Sequence, residues 1–273
     1  MEIIEAILLG IVQGLSEFLP ISSSGHLLLG QHLLNQDTEG SVLFIITVHA
    51  ATALSTIVVY RKDLAKIFMD LITFKWNDSY NFSLFILISM IPAAAVGFTM
   101  EDMIDDFMTN PANSFAQLML VGCSLFFTAF VLYIAEVVRV KKGIINYWKS
   151  FVIGVSQAVA IIPGVSRSGS TIATSLLLGV NKKKAARFSF LMALPVILGA
   201  MAKKILDLNS GSTSISSTEG IGLVFGFIAA FVSGYFACTW MIRLVRKSKL
   251  RYFSYYCIVA GIGAIILAFV KYG

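Results

Sequence analysis

Six apolar stretches dominate this chain, at about 44–60, 82–100, 115–138, 185–202, 221–242 and 252–270. Each is long enough, or nearly so, to cross a bilayer as a helix, which takes about 20 residues. Helices are the only open structures that satisfy their own backbone in lipid. The composition agrees: 57% of the 273 residues are hydrophobic and 13% charged, with a mean hydropathy of +0.83. That excess is far beyond what one soluble core needs, so a soluble globular fold is excluded and an all-α polytopic membrane protein is expected. Cys123, Cys238 and Cys257 lie inside apolar runs without metal-type spacing, so they read as small core residues and no disulfide framework follows. The N-terminus carries Glu2 and Glu5 rather than a basic region, and its apolar run holds Gln13 and Glu17. It reads as retained structure rather than a signal peptide.

Two further segments, 6–34 and 151–180, have another character. Each is a short apolar run, a proline, a Ser/Gly cluster and a second short apolar run. A first run of about 12–14 residues reaches about 18–21 Å as a helix, against a hydrocarbon core of about 30 Å. Each segment is therefore expected to be a re-entrant helical hairpin. The two also resemble each other. Gln13, Pro20, Ser23 and Gly25 have counterparts in Gln157, Pro163, Ser166 and Gly169, with one-residue shifts around the proline. The chain divides into two repeats, 1–140 and 141–273, each a hairpin followed by three crossings. A unit with an odd number of crossings inverts its successor, and inverted repeats place a binding site near the bilayer midplane.

The charge map tests that topology. Alternating the loops puts 61–81, 139–149, 181–187 and 243–251 on one face, with 17 of the 21 Lys and Arg residues. The other face has none in 1–6, 31–43 or 99–114, and 99–114 instead holds Glu101, Asp102, Asp105 and Asp106. The basic face is cytoplasmic by the positive-inside rule, which leaves both termini external. The net charge of +6 is thereby accounted for without nucleic acid.

One basic residue stays inside. Arg167 sits in the second hairpin's loop among apolar residues, where an uncompensated Arg costs about 2.5–3.5 kcal/mol. The first hairpin enters from outside and the second from the cytoplasm, so their loops meet and Glu17 becomes the expected partner of Arg167. Ser22, Ser23, Ser24, Gly25 and His26 begin one inner helix; Ser166, Arg167, Ser168, Gly169, Ser170 and Thr171 begin the other. Helix starts present unpaired N–H groups and a positive dipole end. Two such starts facing each other, with a guanidinium able to grip two oxygens, make an anion site suited to phosphate. Gln13 and Glu17, four apart, share a helix face. His26 lies one turn beyond Ser23 and reads as a proton donor to a leaving phosphate. His32 and His49 lack such company and read as structural.

Q-G-L-S-E-F-L-P-I-S-S-S-G-H and P-G-V-S-R-S-G-S-T resemble the two signature segments of the bacterial undecaprenyl-diphosphate phosphatase family, the bacitracin-resistance BacA proteins. The resemblance spans essentially the whole chain, including R-F-S-F-L-M-A-L-P at 187–195. It implies an inner-membrane enzyme that hydrolyses undecaprenyl diphosphate to the monophosphate and inorganic phosphate, recycling the cell-wall lipid carrier and conferring bacitracin resistance. The family motif Glu/Gln-x-x-x-Glu is matched by Gln13 and Glu17, the Ser-rich turn and His by Ser22 to His26, and the Arg by Arg167. Gln13 stands where Glu is frequent in the family, which weakens any two-carboxylate metal site. On this reading Glu17 activates, Ser23 is nucleophile or phosphate ligand, His26 moves a proton and Arg167 clamps charge. Gln13, Ser22, Ser24, Ser166, Ser168, Gly169 and Thr171 would surround the phosphate.

Whether Ser23 or water attacks stays open, as do a homodimer and a divalent cation, Mg or Ca. No Asp/Glu cluster at ligand spacing lies in the membrane portion. The site is expected to open outward. The alternative is a transporter or flippase for the lipid phosphate, since inverted repeats with broken helices are a transporter architecture.

Overall fold

In the computed structural model the described residues are 2–35, 42–73, 77–138, 143–209, 217–246 and 250–273. They form eleven α-helices: α1 (Ile3–Phe18), α2 (Ser23–Leu33), α3 (Val42–Val59), α4 (Arg61–Ile72), α5 (Asp78–Thr109), α6 (Ser114–Val137), α7 (Tyr147–Val159), α8 (Arg167–Leu177), α9 (Lys182–Asn209), α10 (Ser217–Arg246) and α11 (Leu250–Tyr272). Six of them, α3, α5, α6, α9, α10 and α11, are long and apolar enough to cross a membrane. The exterior is apolar, with Phe98, Val259 and Val270 at least 70% exposed. Such a surface belongs against lipid, not water. This is a multi-pass membrane protein.

The two expected hairpins are α1–α2 and α7–α8. Asn146 caps α7 by accepting from the Lys149 amide, while Ser22 and Ser166 cap α2 and α8 by accepting from Gly25 and Gly169 N–H. At 16, 11, 13 and 11 residues, these helices reach about 16–24 Å, short of the hydrocarbon core. Both turns need left-handed backbone: Ser22 has φ 72° and Gly164 φ 89°. A Cβ on Gly164 would stand 2.8 Å from Val121 Cα and from Ser124 Cβ of α6. The second turn is thus pressed onto α6.

Several spans run past their expected limits. The second crossing begins at Asp78, where Asn77 caps it, and the helix continues through Thr109, so most of the acidic segment 99–114 is helix rather than loop. The segment 61–81, which reads as a plain loop, contains α4. This helix buries nothing, leaves Phe68, Met69 and Ile72 exposed, and carries Arg61, Lys62 and Lys66. That is the composition of a helix lying in the interface. Lys75, Arg139 to Lys142, Lys247 and Lys249, all part of the charge map, lie outside the described residues.

Small residues set the packing. α1 lies on α10 with Gly14 so close that a Cβ there would stand 2.0 Å from Ser233 Oγ and 2.6 Å from Ala230 O. α7 lies on α5 the same way, a Cβ on Gly154 meeting Ser89 O at 2.4 Å. Close backbone approach of this kind drives helix association in lipid, where apolar burial does not. α6 and α11 pair along their length, with Leu118, Val121, Leu125, Ala264 and Ala268 buried.

Polar ties at the two ends sort the loops. At one end Lys203 bonds Asp102 and Lys204 bonds Asp105, while Lys271 of α11 donates to His32 O and Asn35 Oδ1. At the other, Arg187 pairs with Asp63, the Leu250 amide donates to Glu136, and Gly143 pairs its backbone with Gly179 and Asn181.

The α1–α10 contact predicts contrasting glycine variants. Gly14→Ala drives a methyl into α10 and should cost about 1–3 kcal/mol by overpacking, read as a lower Tm of detergent-solubilised protein. Gly263→Ala meets nothing within 4 Å and should leave Tm unchanged or raise it, since Ala is favoured in a helix by up to about 1 kcal/mol.

Candidate active site

The hairpin tips meet where the sequence places its buried charges. Glu17 is at the end of α1 and Arg167 starts α8. Their side chains, 6% and 18% exposed, form an ion pair through Arg167 Nη2 and Glu17 Oε1. The other carboxylate oxygen, Oε2, accepts from Ser23 Oγ at 2.6 Å and from Gln13 Nε2 at 3.1 Å. One carboxylate thus gathers three donors from α1, α2 and α8. Removing one partner of such a pair typically costs about 3–5 kcal/mol, because it strands a buried charge.

Further bonds lock the tips together. Ser168 Oγ donates to Leu19 O at 3.0 Å, the Gly164 amide donates to Ser24 Oγ at 3.4 Å, and the Ser166 amide donates to Thr128 Oγ1 of α6 at 3.0 Å. The starts of α2 and α8 consequently lie on one site, each with first-turn N–H groups that the helix itself leaves free.

A cavity of about 320 Å³ opens over this junction, within the ~300–1,000 Å³ usual for ligand sites. Its floor carries Glu17, Ser23, Ser24, Ser166, Arg167 and Ser168. α3 adds Ile45, Ile46 and His49, and α5 adds Ala93 and Gly97. α9 adds Val196, Ile197, Ala200, Met201 and Lys204. The cavity is therefore polar at the hairpin tips and mostly apolar along α3, α5 and α9, where His49 and Lys204 are the polar exceptions. Several buried polar atoms at the junction have no protein partner: Arg167 Nη1, Gln13 Oε1, and both amide atoms of Gln157. Buried polar groups are nearly always hydrogen-bonded; of these orphans Arg167 Nη1 and Gln157 Nε2 are donors that fit the acceptor oxygens of a polar ligand, while the two amide oxygens can only accept.

The residues singled out from the sequence divide three ways. Glu17, Ser23, Ser24, Ser166, Arg167 and Ser168 line the cavity, and Gln13 touches it through Glu17. Ser22, Gly169 and Thr171 stand behind the wall. Ser22 and Gly169 are occupied in helix caps, and Thr171 Oγ1 bonds Ser189 Oγ at 2.6 Å. His26 points away. Its Nδ1 bonds Ser22 O at 2.7 Å and its Nε2 bonds Tyr256 OH at 2.8 Å, with the two rings stacked.

Gln157, His49 and Lys204 join the site without being expected there. Gln157 has a signal in the sequence, as the repeat counterpart of Gln13. His49 sits within a long apolar span and Lys204 just past the end of another, with nothing local to mark the face they present.

A divalent cation needs several oxygen ligands. Among the described residues Glu17 is the one carboxylate in the cavity wall, already holding three donors, and no group of three His, Cys, Asp or Glu side chains is placed to hold a metal. This donor set does not fit a metal site built by the protein.

A family model described as bacitracin resistance protein BacA matches residues 6–263. A protein of Christiangramia forsetii named undecaprenyl-diphosphatase is 50% identical over 273 residues, covering 99% of this chain and all of that one. Similarly named proteins of Bacteroides thetaiotaomicron and Halothermothrix orenii are 44% and 40% identical, covering 96% and 98% of this chain and 98% and 99% of their own lengths. The chain that folds two hairpin tips onto a buried Glu17–Arg167 pair therefore belongs to the BacA bacitracin-resistance family.

Proposed function

We propose that this protein hydrolyses undecaprenyl diphosphate to undecaprenyl phosphate and inorganic phosphate in the bacterial inner membrane, recycling the cell-wall lipid carrier and conferring bacitracin resistance. The observation that carries the mechanism is Glu17 itself. It accepts from Ser23 Oγ on one oxygen at 2.6 Å and from Arg167 on the other. A hydroxyl aimed at a carboxylate is an activated nucleophile, and a guanidinium beside it marks where phosphate charge sits.

The terminal phosphate rests against the starts of α2 and α8. Arg167 Nη1 and Gln157 Nε2, which lack protein partners, donate to its oxygens. Ser23 Oγ attacks the terminal phosphorus while its proton passes to Glu17. The bond to the bridging oxygen breaks, and its electron pair leaves on the lipid monophosphate. Water then cleaves the Ser23 phosphoester. The protein's contribution is positioning and charge stabilisation, which dominate phosphoryl transfer. The isoprenoid next to the headgroup follows the apolar walls of α3, α5 and α9, among Ile45, Ala93, Gly97 and Ile197.

The proposal includes two inverted repeats, 1–140 and 141–273. Their support is paired packing: α1 on α10 matches α7 on α5, and α6 on α11 pairs equivalent helices. The sidedness is supported by the end ties: Arg187 meets Asp63 at the end that carries the basic loops, while Lys203 and Lys204 meet Asp102 and Asp105 of the acidic segment at the other, and the basic face is read as cytoplasmic. The cavity walls come from the first half of α3 and the later halves of α5 and α9, all external halves on this topology, so the site opens outward.

Phosphate release from a C55 polyprenyl diphosphate by purified protein tests the activity. Arg167→Ala should lose about 10²–10³ in turnover, and Arg167→Lys nearly as much, because a point charge cannot replace a two-pronged clamp. An Arg167→Lys protein that is folded and turns over normally would contradict the site. The orientation is tested by single cysteines at Asn110 and Lys183 in a background lacking Cys123, Cys238 and Cys257. An impermeant thiol reagent should label the first from outside and the second only after permeabilisation.

A further inference from the structure

His49 stands inside the cavity on α3. Its Nδ1 lies 2.8 Å from Ile45 O, and a carbonyl only accepts, so Nδ1 carries the proton and the lone pair of the neutral ring is on Nε2. That nitrogen has no hydrogen-bond partner among the described residues, in contrast with His26, whose two nitrogens are bound to Ser22 O and Tyr256 OH. The ring is half-buried and within electrostatic reach of the Glu17 carboxylate. Glu17 meanwhile is committed to Gln13, Ser23 and Arg167. Lys204, also in the cavity wall, is tied to Asp105 at 3.0 Å.

We propose that His49 is the general base that activates water in the second half of the reaction, an inference that rests on the phosphatase reading. Water approaches the Ser23 phosphoester from the cavity. His49 Nε2 takes the water proton as the new O–P bond forms. The bond from phosphorus to Ser23 Oγ breaks, and its electron pair returns to Oγ, which recovers the proton held by Glu17. His49 then releases its proton through the cavity mouth. Two proton acceptors serve two nucleophiles, Glu17 for Ser23 and His49 for water, so neither must lose its first proton before the second step begins.

The charged groups facing His49 are Glu17 from α1, Arg167 from α8 and Lys204 from α9, the last with Asp105 of α5 behind it. The test is the rate of phosphate release across pH 5–9 by wild-type, His49→Gln and His26→Gln proteins of equal Tm. Ionisation of the substrate is common to all three and cancels in rate ratios. His49→Gln should lower kcat about 10²-fold or more near neutral pH. The wild-type to His49→Gln ratio should shrink as pH falls and protonation silences the wild-type base, whereas the His26→Gln ratio should not change with pH. A constant His49→Gln ratio, or a pH-dependent ratio for His26→Gln instead, overturns the inference while the phosphatase reading stands. Wild-type protein that releases no phosphate overturns both.

Should His49→Gln fail to fold, ring-labelled histidine decides by NMR. The His49 resonance, identified by elimination in His26→Gln and His32→Gln proteins, should shift on adding inorganic phosphate. No shift at His49 under saturating phosphate contradicts the role.

Discussion

The Glu17–Arg167 ion pair is the interaction on which the rest of the structure depends. Neither charge is tolerable alone at membrane depth, and neither lies on a helix that crosses. Each is carried by a helix too short to span, and either charge without the other would be left buried and unpaired. The pair therefore does two things at once. It ties sequence positions 150 residues apart, and it puts a carboxylate and a guanidinium beside two helix starts. Buried ion pairs are weak evidence for stability in themselves. Here the pair sits beside a serine hydroxyl and orphaned donors, a combination that answers to chemistry rather than to packing.

Around that pair the bundle works as a frame. Gly14 against α10 and Gly154 against α5 let each outer hairpin helix lie almost backbone to backbone on a crossing helix, which fixes the depth of both tips. α6 receives the second turn, through Thr128 under Ser166 and through Val121 and Ser124 under Gly164, and the start of α2, where a Cβ on Gly25 would stand 3.1 Å from Val121 Cγ1. Ser22 holds φ 72° immediately before Ser23. A non-glycine residue there costs of order 1–3 kcal/mol, and the strain aims the following hydroxyl at Glu17. α5 and α9, each with an internal proline beside the cavity at Pro92 and Pro195, form the apolar walls that a prenyl chain needs.

Much of this is legible in the amino-acid sequence. The hairpins announce themselves because a proline and a Ser/Gly cluster interrupt runs too short to cross, and Arg167 demands a partner because lipid supplies none. What stays hidden is what sequence periodicity does not encode in a membrane. α3 is apolar all round, so nothing local says that His49 faces the cavity. Conversely His26 lies one turn from Ser23, and only the packing of α11 shows Tyr256 drawing it away. α4 hides because its length and mixed charge read as loop. Gln157 is visible as the counterpart of Gln13, but its significance appears only when its amide is found unpartnered in the cavity wall.

The central claim is that Glu17 and Arg167 act as one unit on the phosphate, and a double-mutant cycle measures it directly. Phosphate release is compared for wild-type, Glu17→Gln, Arg167→Gln and the double variant, each checked for folding. Groups that act together are grossly non-additive, so the double variant should be about as slow as the worse single one. Losses that multiply, with the double variant slowed by the product of the two single effects, would show two independent residues and contradict the account.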